Sequence, residues 1–424
     1  MNVVSASDPT ALTGFLDGVW SAPAEVVAEV ARILADVRGR GDAAVVDYAR
    51  RYDDPTFAGS KLRVAVPMLS AARATISGEI VAALELAKER IARFHQRQRR
   101  PEIAYADEDG SRYAIQWRPL SSVAVYAPRH APSSILMGAV PAKIAGVARV
   151  IVLTPAGPDG VAPATLFACA LCGVDELYAA GGPHAIGAAA FGTDSITRVD
   201  KIVGHAGMRT TEAKRQVFGA CGIDALSGGA EVLIVADDGA NSEYVVGELL
   251  AQAERAEVRR LAVLSESRPL LDAVAQLLDT LDLATLERGE LVSGAISERC
   301  RLIEARDRDE LLSVANRFAP AILCLHVRDA APYLERIDAA GAVFVGDLTP
   351  LVSGEYLAGT NHVVPTSGTA RFSSALSLAD FTRSFAVVEN SEERAAADTA
   401  ALAALAELEG FPHHAASARM RFGS

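Results

Sequence analysis

The residues best suited to proton-transfer chemistry lie in the glycine-rich run from Gly354 to Phe381, GEYLAGTNHVVPTSGTARFSSALSLADF. Glu355 supplies a carboxylate and His362 an imidazole, and both groups can exchange protons with a bound substrate. A histidine in an Asn-His turn is equally consistent with a structural role, in which its ring bonds to the protein. The run therefore predicts a site but leaves the role of His362 open.

A pair of cysteines offers a different chemistry that we do not favour. Cys169 and Cys172 have the spacing of half a metal site, but they lie in the apolar helical segment FACALCG and the sequence has no second pair. Five cysteines are an odd, sparse set, which is typical of a reduced compartment. We expect buried thiols and a cytoplasmic protein.

The run from Gly354 resembles the histidinol dehydrogenase family, whose members carry a near-identical pattern of glycines, Asn-His, Pro-Thr and Arg-Phe-Ser-Ser. From about Ser121 to the C-terminus, further motifs match in order: SSILMGAVPAKIAGV, GTDSITRVDKIVG, TEAKRQVFG, GIDALSGGAEVLIVADDGAN and LLAQAE. The resemblance implies a homodimer of intertwined subunits, each with two Rossmann-like domains. It also implies oxidation of an amino alcohol, through the aldehyde, to the acid, with a bound zinc ion and NAD.

The zinc site of that family is altered here. Its ligands match Gln252, Arg255, Glu355 and His414, the last supplied by the partner subunit. The guanidinium of Arg255 stands where the family has a histidine; it has no lone pair to donate and stays protonated, so it repels a metal ion. Glu355 stands for an aspartate and would more naturally pair with Arg255. We therefore expect no metal at this position.

The acid–base pair that the family presents as Ala-Pro-Glu-His-Leu is also replaced. The matching residues are Ala321 and Ile322, which carry no titratable proton. Loss of a positioned acid or base typically costs about 10²–10⁴ in rate. Ala230 stands at a serine that contacts substrate in the family. Ala230, Ala321 and Ile322 are therefore predicted to line the substrate site without supplying the proton transfer of the family's Glu-His pair.

The nucleotide contacts are changed as well. Tyr126 matches a family tyrosine, but the loop behind it reads PRHAPSS. The side chains of Arg129 and His130 there obstruct close approach of backbone amides to a pyrophosphate. Two amide side chains that hold the cofactor in the family are replaced by His184 and Gly207. We therefore expect neither NAD nor zinc as a cofactor, although both are cofactors of the family.

The altered site keeps several polar side chains. The predicted catalytic residues are His414, Glu355 and Glu409, and the predicted polar substrate contacts are Gln252, Arg255 and His362. Arg255 could bind a carboxylate, phosphate or sulfonate group or stabilise an oxyanion. It could equally form a buried ion pair with Glu355 that only fills the vacancy. His413 is interpreted as a surface neighbour of His414.

Three functions are consistent with this pattern. The first is a histidinol-dehydrogenase-like protein recruited to other chemistry, with acid–base catalysis on a small polar or anionic substrate at the dimer interface. Such an enzyme is not expected to oxidise L-histidinol efficiently. The second is an NAD-dependent dehydrogenase of a different alcohol with rearranged ligands. The third is a catalytically silent protein that binds a small molecule or a partner.

Composition argues against several other classes. The 424 residues are 50% hydrophobic and 22% charged, as in ordinary globular proteins, and the formal net charge of −12 argues against a nucleic-acid partner. The densest basic run, Arg93–Arg100, ends a predicted helix, where cations are favoured. No apolar run approaches the ~20 residues that span a bilayer, and no signal-peptide pattern is visible, so no membrane partner is expected.

Hydrophobic periodicity indicates the elements that position the site. The first ~100 residues are predicted to be helical. From Ser121, short β-branched runs alternate with helical stretches, which indicates βαβ units around parallel sheets. The predicted class is α/β, with two Rossmann-like domains and small helical N- and C-terminal elements. The predicted segments are a helical one at 1–21, a first Rossmann-like domain at 22–125 and 232–376, a second at 126–231, and a helical tail at 377–424 that reaches the partner subunit.

Overall fold

The computed structural model describes residues 1–226, 228–255 and 258–422. They form two compact units: residues 1–98 and 120–381 make the first, and residues 99–119 with the segment from Thr382 onward make the second. No helix among the described residues has both the length and the hydrophobicity needed to cross a bilayer.

The secondary structure follows the chain in this order. The α-helices are α1 (Pro9–Leu12), α2 (Ala24–Arg40), α3 (Asp42–Tyr52), α4 (Val66–Ala71), α5 (Gly78–Gln96), α6 (Pro132–Ala145), α7 (Pro163–Cys172), α8 (Gly182–Phe191), α9 (Met208–Val217), α10 (Ser242–Ala253), α11 (Arg268–Thr280), α12 (Gly289–Arg299), α13 (Arg308–Phe318), α14 (Ala331–Leu334), α15 (Val352–Tyr356), α16 (Glu392–Leu408) and α17 (Pro412–Phe422). The strands are β1 (Val3–Ser5), β2 (Arg63–Val64), β3 (Ile103–Ala106), β4 (Arg112–Pro119), β5 (Ser122–Tyr126), β6 (Arg149–Thr154), β7 (Glu176–Ala179), β8 (Lys201–Val203), β9 (Gly222–Ile223), β10 (Glu231–Ala236), β11 (Arg260–Ser265), β12 (Cys300–Glu304), β13 (Ile322–His326), β14 (Ala342–Val345) and β15 (Thr382–Glu389).

Sheet I has the strand order β2-β7-β6-β5-β8-β9 and is parallel except where β2 pairs with β7. Its middle strand β5 has Val123 opposite Val150 of β6 and Lys201 of β8. Helices cover both faces: α2, α3, α8 and α9 lie on one, and α5, α6 and α7 on the other. The continuous apolar run of β5 is typical of a parallel sheet that is buried on both sides.

Sheet II has the strand order β1-β12-β11-β10-β13-β14 and is parallel throughout. Helices α10, α11 and α12 cover one face, and α13 with Leu12 and Leu16 covers the other. In sheet I the central strand is β5, with β6 and β7 on one side and β8 and β9 on the other. In sheet II the central strand is β10, with β11 and β12 on one side and β13 and β14 on the other. This is the doubly wound topology, and it confirms the predicted α/β class.

Two predicted segments differ from the structure. Residues 22–125 were predicted to belong to one domain with residues 232–376. The structure instead packs α2 and α3 on one face of sheet I and α5 on the other, and β5 is the middle strand of that sheet. Residues 1–21 were predicted to be helical, but β1 pairs with β12, with Val3 opposite Leu302. A strand of three residues is too short to display the period of two that identifies strands.

The second unit contains an antiparallel sheet of order β15-β4-β3, in which Phe385 lies opposite Gln116. Helices α16 and α17 follow, and the Ser391 hydroxyl caps α16 by accepting from the backbone N–H of Arg394. The tail at 377–424 was predicted to be helical, and it instead begins with a 3₁₀ turn and β15. The partner of β15 is β4, far earlier in the chain, so no local pattern reveals the pairing.

Candidate active site

A cleft of about 870 Å³ in the first unit gathers most of the predicted site residues. One wall is the carboxyl edge of sheet I, where the loops after β5, β6 and β8 lie. The facing wall is the amino edge of sheet II, at or just before the starts of β10, β11 and β13. After β5 the chain continues to β6 on one side, and after β8 it continues to β9 on the other side. The loops that follow β5 and β8 therefore diverge, which opens the crevice in which α/β proteins bind ligands.

Arg255 and Glu355 form an ion pair in this cleft. Nη1 of Arg255 donates to Oε1 of Glu355 at 2.6 Å. Glu355 is 8% exposed and lies on α15, where Gly354 packs so closely on the ring of Phe344 that no Cβ would fit. The side chain of Arg255 is 38% exposed, so guanidinium N–H groups remain available to a ligand. The pairing expected from the two residue types is confirmed.

His362 joins the loop after α15 to the start of α6. Its Nδ1 lies 3.0 Å from the backbone oxygen of Glu355, which can only accept, so Nδ1 carries the proton. Nε2 lies 3.2 Å from Oγ of Ser134 and accepts from that hydroxyl. Burial lowers the pKa of His362, while the nearby carboxylate of Glu355 opposes that shift. Both ring nitrogens are thus bonded within the protein, which supports the structural role.

The loop after β8 is fixed by a buried ion pair between Lys214 and Asp224. Nζ of Lys214 donates to the carbonyl of Gly204 at 2.8 Å, and Oδ2 of Asp224 accepts from the N–H of the same residue at 2.7 Å. Gly204 also has a φ of 124°, and a Cβ there would overlap the carbonyl oxygen of Tyr126. Only glycine therefore fits at this point.

His205 follows this fixed glycine and lines the cleft. Burial, aided by the charge of Arg255, lowers the pKa of His205 to about 3, so its ring is neutral at pH 7. It was not among the predicted site residues. Its place directly after a parallel strand is the signal that could have identified it, because such residues meet at the ligand-binding edge of the sheet.

The wall from sheet II contributes mostly apolar groups. Ala230 and Ile322 line the cleft, and Ala321 is fully buried beside Ile322. None of these three side chains can take up a proton, as the sequence indicated. Gln252 is 1% exposed, and its Oε1 has no hydrogen-bond partner within the described part of the chain.

The donor set does not fit the zinc ion that the resemblance implies. Structural and catalytic zinc sites use thiolates, neutral imidazoles and carboxylates. Here a guanidinium occupies one ligand position and binds the carboxylate at another. Among residues 1–226, 228–255 and 258–422, no group of three or more His, Cys, Asp or Glu is arranged to hold a metal ion.

Tyr126 and Gly207 line the cleft at the predicted nucleotide position. The hydroxyl of Tyr126 accepts from the N–H of Gly182 at 3.2 Å, so an amide at the start of α8 is already bonded. Nη2 of Arg129 donates to the carbonyl of Ala156 at 2.5 Å and connects the loops after β5 and β6. These two bonds hold the loops after β5 and β6 and the start of α8 in place at this edge of sheet I.

The structure places His184 away from the cleft. It lies in α8 with 1% exposure, and its ring stacks on Tyr48 with centroids 5.8 Å apart. Its Nε2 is 3.9 Å from Oδ2 of Asp53. Burial lowers the pKa of His184 to about 3. The side chain belongs to the core between α3 and α8, which corrects its predicted place at the cofactor.

The remaining predicted residues lie in the second unit. His413 and His414 are exposed on α17, and the ring of His414 stacks on Phe411 with centroids 4.9 Å apart. Glu409 is exposed at the end of α16. The assignment of Glu409 and His414 to a site in a partner subunit stays a prediction from the resemblance.

Comparisons with known proteins agree on one family. The family model described as histidinol dehydrogenase matches residues 21–422. This chain belongs to the histidinol dehydrogenase family. Histidinol dehydrogenase 1 of Nostoc sp. is 39% identical over 403 residues, which cover 94% of this chain and 93% of that protein. The histidinol dehydrogenase of Gluconobacter oxydans is 40% identical over 400 residues, 93% of each chain.

A solved structure supports the same conclusion. The crystal structure of histidinol dehydrogenase from Elizabethkingia anophelis matches with a TM-score of 0.92 at 27% identity and covers 99% of this chain and 98% of that one. The histidinol dehydrogenase family is a family of oxidoreductases that normally use NAD and zinc. The match covers nearly the whole chain, so this member keeps the family scaffold across its length.

Proposed function

We propose that the chain is a small-molecule enzyme of the histidinol dehydrogenase family that works by acid–base chemistry without the family's zinc ion. The observation that carries this proposal is the 2.6 Å bond from Arg255 to Glu355. A permanent cation occupies a position that the resemblance gives to a zinc ligand, and it engages the neighbouring carboxylate. Ala321 and Ile322 offer no proton carrier in place of the family's Glu-His pair.

Glu355 is the proton acceptor of the first unit in this proposal. Its Oε1 is bonded to Arg255, whereas Oε2 lies 3.6 Å from Nδ1 of His362, beyond hydrogen-bonding distance. Oε2 can therefore take a proton from a bound substrate. Arg255 then stabilises the negative charge that develops on the substrate.

The second proton-transfer group is assigned to the other subunit of a homodimer with intertwined C-terminal tails. A substrate that loses a proton to Glu355 needs another group that returns one if it is to be isomerised, hydrated or cleaved. The partner subunit's His414 and the partner subunit's Glu409 are the candidates. This part of the proposal follows from the resemblance.

A second candidate is an NAD-dependent alcohol dehydrogenase with rearranged ligands. The identity of 39–40% to histidinol dehydrogenases over more than nine-tenths of the chain favours it. The N-termini of α6 and α9 also lie at the cleft, and helix N-termini bind phosphate groups well. This candidate requires NAD to bind.

Metal analysis of the purified protein, combined with NAD titration by calorimetry, separates the two candidates. The first predicts only trace zinc and no NAD binding up to millimolar concentrations. Near-stoichiometric zinc together with micromolar NAD affinity would contradict it and support the dehydrogenase.

A further inference from the structure

The cleft differs in charge from the chain that surrounds it. Among the described residues that line it, Arg129, Arg255 and Arg288 supply three permanent cations, and Glu355 supplies the one carboxylate. The chain as a whole has a formal net charge of −12. A local excess of positive charge inside a low-dielectric crevice attracts anions and repels cations.

Protonation of His205 and His362 does not set this charge. Burial lowers the pKa of His205 to about 3 and also lowers that of His362, so both rings are neutral near pH 7. Arginines stay protonated at any ordinary pH. The positive character of the cleft therefore persists across the physiological pH range.

Arg255 is the arginine best placed to recognise an anionic group. Only its Nη1 is bonded to Glu355, and the side chain is 38% exposed. A guanidinium has five N–H donors in a planar fork, so an unused edge remains that matches the two oxygens of a carboxylate or phosphate. An anionic ligand can share the guanidinium with Glu355 or displace it.

Two helix N-termini add to the same preference. Pro132 and Ser134 of α6 line the cleft, and so do Gly207 and Thr210 at the start of α9. These helices have 14 and 10 residues, and the positive ends of their dipoles favour negative charge. The arginines and the helices are independent features that point to one kind of ligand.

We propose that the substrate carries an anionic group, a carboxylate, phosphate or sulfonate, that binds the unused edge of Arg255, and that this arginine excludes cationic amino alcohols. The inference deepens and rests on the proposed function, since it names the substrate class of the same cleft. It separates this chain from the reaction expected of its family, in which the substrate is an amino alcohol.

The test uses the full-length protein and three small probes at low, constant ionic strength. Inorganic phosphate is titrated by calorimetry. Glycolate and ethanolamine are then tested as competitors. They form a matched pair, since each has a hydroxyl on a two-carbon chain, but glycolate is an anion and ethanolamine is a cation. Phosphate and glycolate are expected to bind in the millimolar range, and ethanolamine is expected not to compete.

Two variants act in opposite directions. Arg255→Gln should weaken phosphate binding at least about tenfold, because a charge-assisted bidentate contact is lost. Glu355→Gln should strengthen it several-fold, because the competing carboxylate is removed. A general loss of structure would weaken binding in both variants, so their opposite signs report on the site itself. Arg317→Gln, which removes an exposed ion pair with Asp17 outside the cleft, is the control and should change nothing.

Binding that is equal in the wild-type protein and Arg255→Gln would overturn the inference, as would ethanolamine competing as well as glycolate. Displacement of phosphate by NADH would assign the anion site to cofactor phosphates and also overturn it. Stoichiometric zinc in the metal analysis would instead defeat the proposed function, so the two failures are distinguishable.

Discussion

Two ion pairs in the first unit differ in what surrounds them. The side chains of Lys214 and Asp224 are 0% and 3% exposed, and each also bonds to the backbone of Gly204. Arg255 and Glu355 bond to one another, yet the side chain of Arg255 is more than one-third exposed, and within the described part of the chain its guanidinium donates only through Nη1. The Lys214–Asp224 pair makes its hydrogen bonds to the surrounding backbone, whereas Arg255 can still donate hydrogen bonds to a ligand.

From this difference we infer that the Lys214–Asp224 pair stabilises the scaffold and that the Arg255–Glu355 pair can bind a ligand. A buried charge is tolerated when every polar atom around it is satisfied, because an unpaired one carries a large desolvation penalty. Unused donors on a charge that faces a cleft have no structural purpose. In this member of the histidinol dehydrogenase family, the Lys214–Asp224 pair holds the loop that carries His205, and the Arg255–Glu355 pair lies where the resemblance places two zinc ligands.

Breaking the scaffold pair should have the largest effect. Lys214→Met leaves the carboxylate of Asp224 buried without its cation, and we expect a loss of about 3–5 kcal/mol in the free energy of unfolding. Denaturant unfolding measures it. Lys214→Met combined with Asp224→Asn removes both charges but keeps an acceptor for Gly204, so it should recover at least half of the loss. A double variant as unstable as the single one would show that the charges are not what matters there.

His184 extends the comparison to a buried polar group whose ring nitrogens have no hydrogen-bond partner within the described residues. Its pKa is lowered to about 3 by burial, below the unfolded value of 6.5. The unfolded chain therefore binds a proton below pH 6.5 that the folded chain does not, and stability present above pH 6.5 is lost as pH falls. From pH 8 to pH 5 this one site should cost about 2 kcal/mol.

His184→Gln removes that titration, so the loss of unfolding free energy between pH 8 and pH 5 should shrink by about 2 kcal/mol. Urea unfolding at several pH values measures the slope. A variant with the wild-type slope would mean that the ring is protonated in the folded protein, contrary to its surroundings.

Breaking the cleft pair should have the smallest effect on stability. Arg255→Gln is expected to change the free energy of unfolding by about 1 kcal/mol or less, because a partly exposed ion pair contributes little. The matched control, Arg317→Gln, breaks an exposed pair and should behave alike. A loss above about 3 kcal/mol would place Arg255 with the scaffold charges, and the distinction between the two pairs would then fail.

Much of the scaffold was accessible from local patterns. The β-branched runs predict buried parallel strands, and the structure has β5, β6, β10, β11, β12 and β13 at those runs. The prediction of helices in the first hundred residues is confirmed by α2 to α5. The short strand β1 and the pairing of β15 with β4 could not be predicted from local patterns, because both depend on contacts between distant segments. The ion pair of Arg255 and Glu355 followed from the chemistry of the two residue types once the resemblance placed them together.

The rest of the site could not be read in this way. His205 carries no motif, and only the packing of β8 beside β5 brings it to the cleft. His184 was expected at a cofactor because of its position in the family pattern, whereas its burial beside Tyr48 depends on how α3 meets α8. Motif position predicts which loop a residue occupies, and side-chain packing decides where it points.

The most direct test of the central claim is a zinc titration of the wild-type protein beside the double variant Arg255→His, Glu355→Asp. Because the guanidinium of Arg255 repels a metal ion, the variant should bind zinc far more tightly than the wild-type protein, which should bind only traces. Equal zinc binding by the two proteins would contradict it.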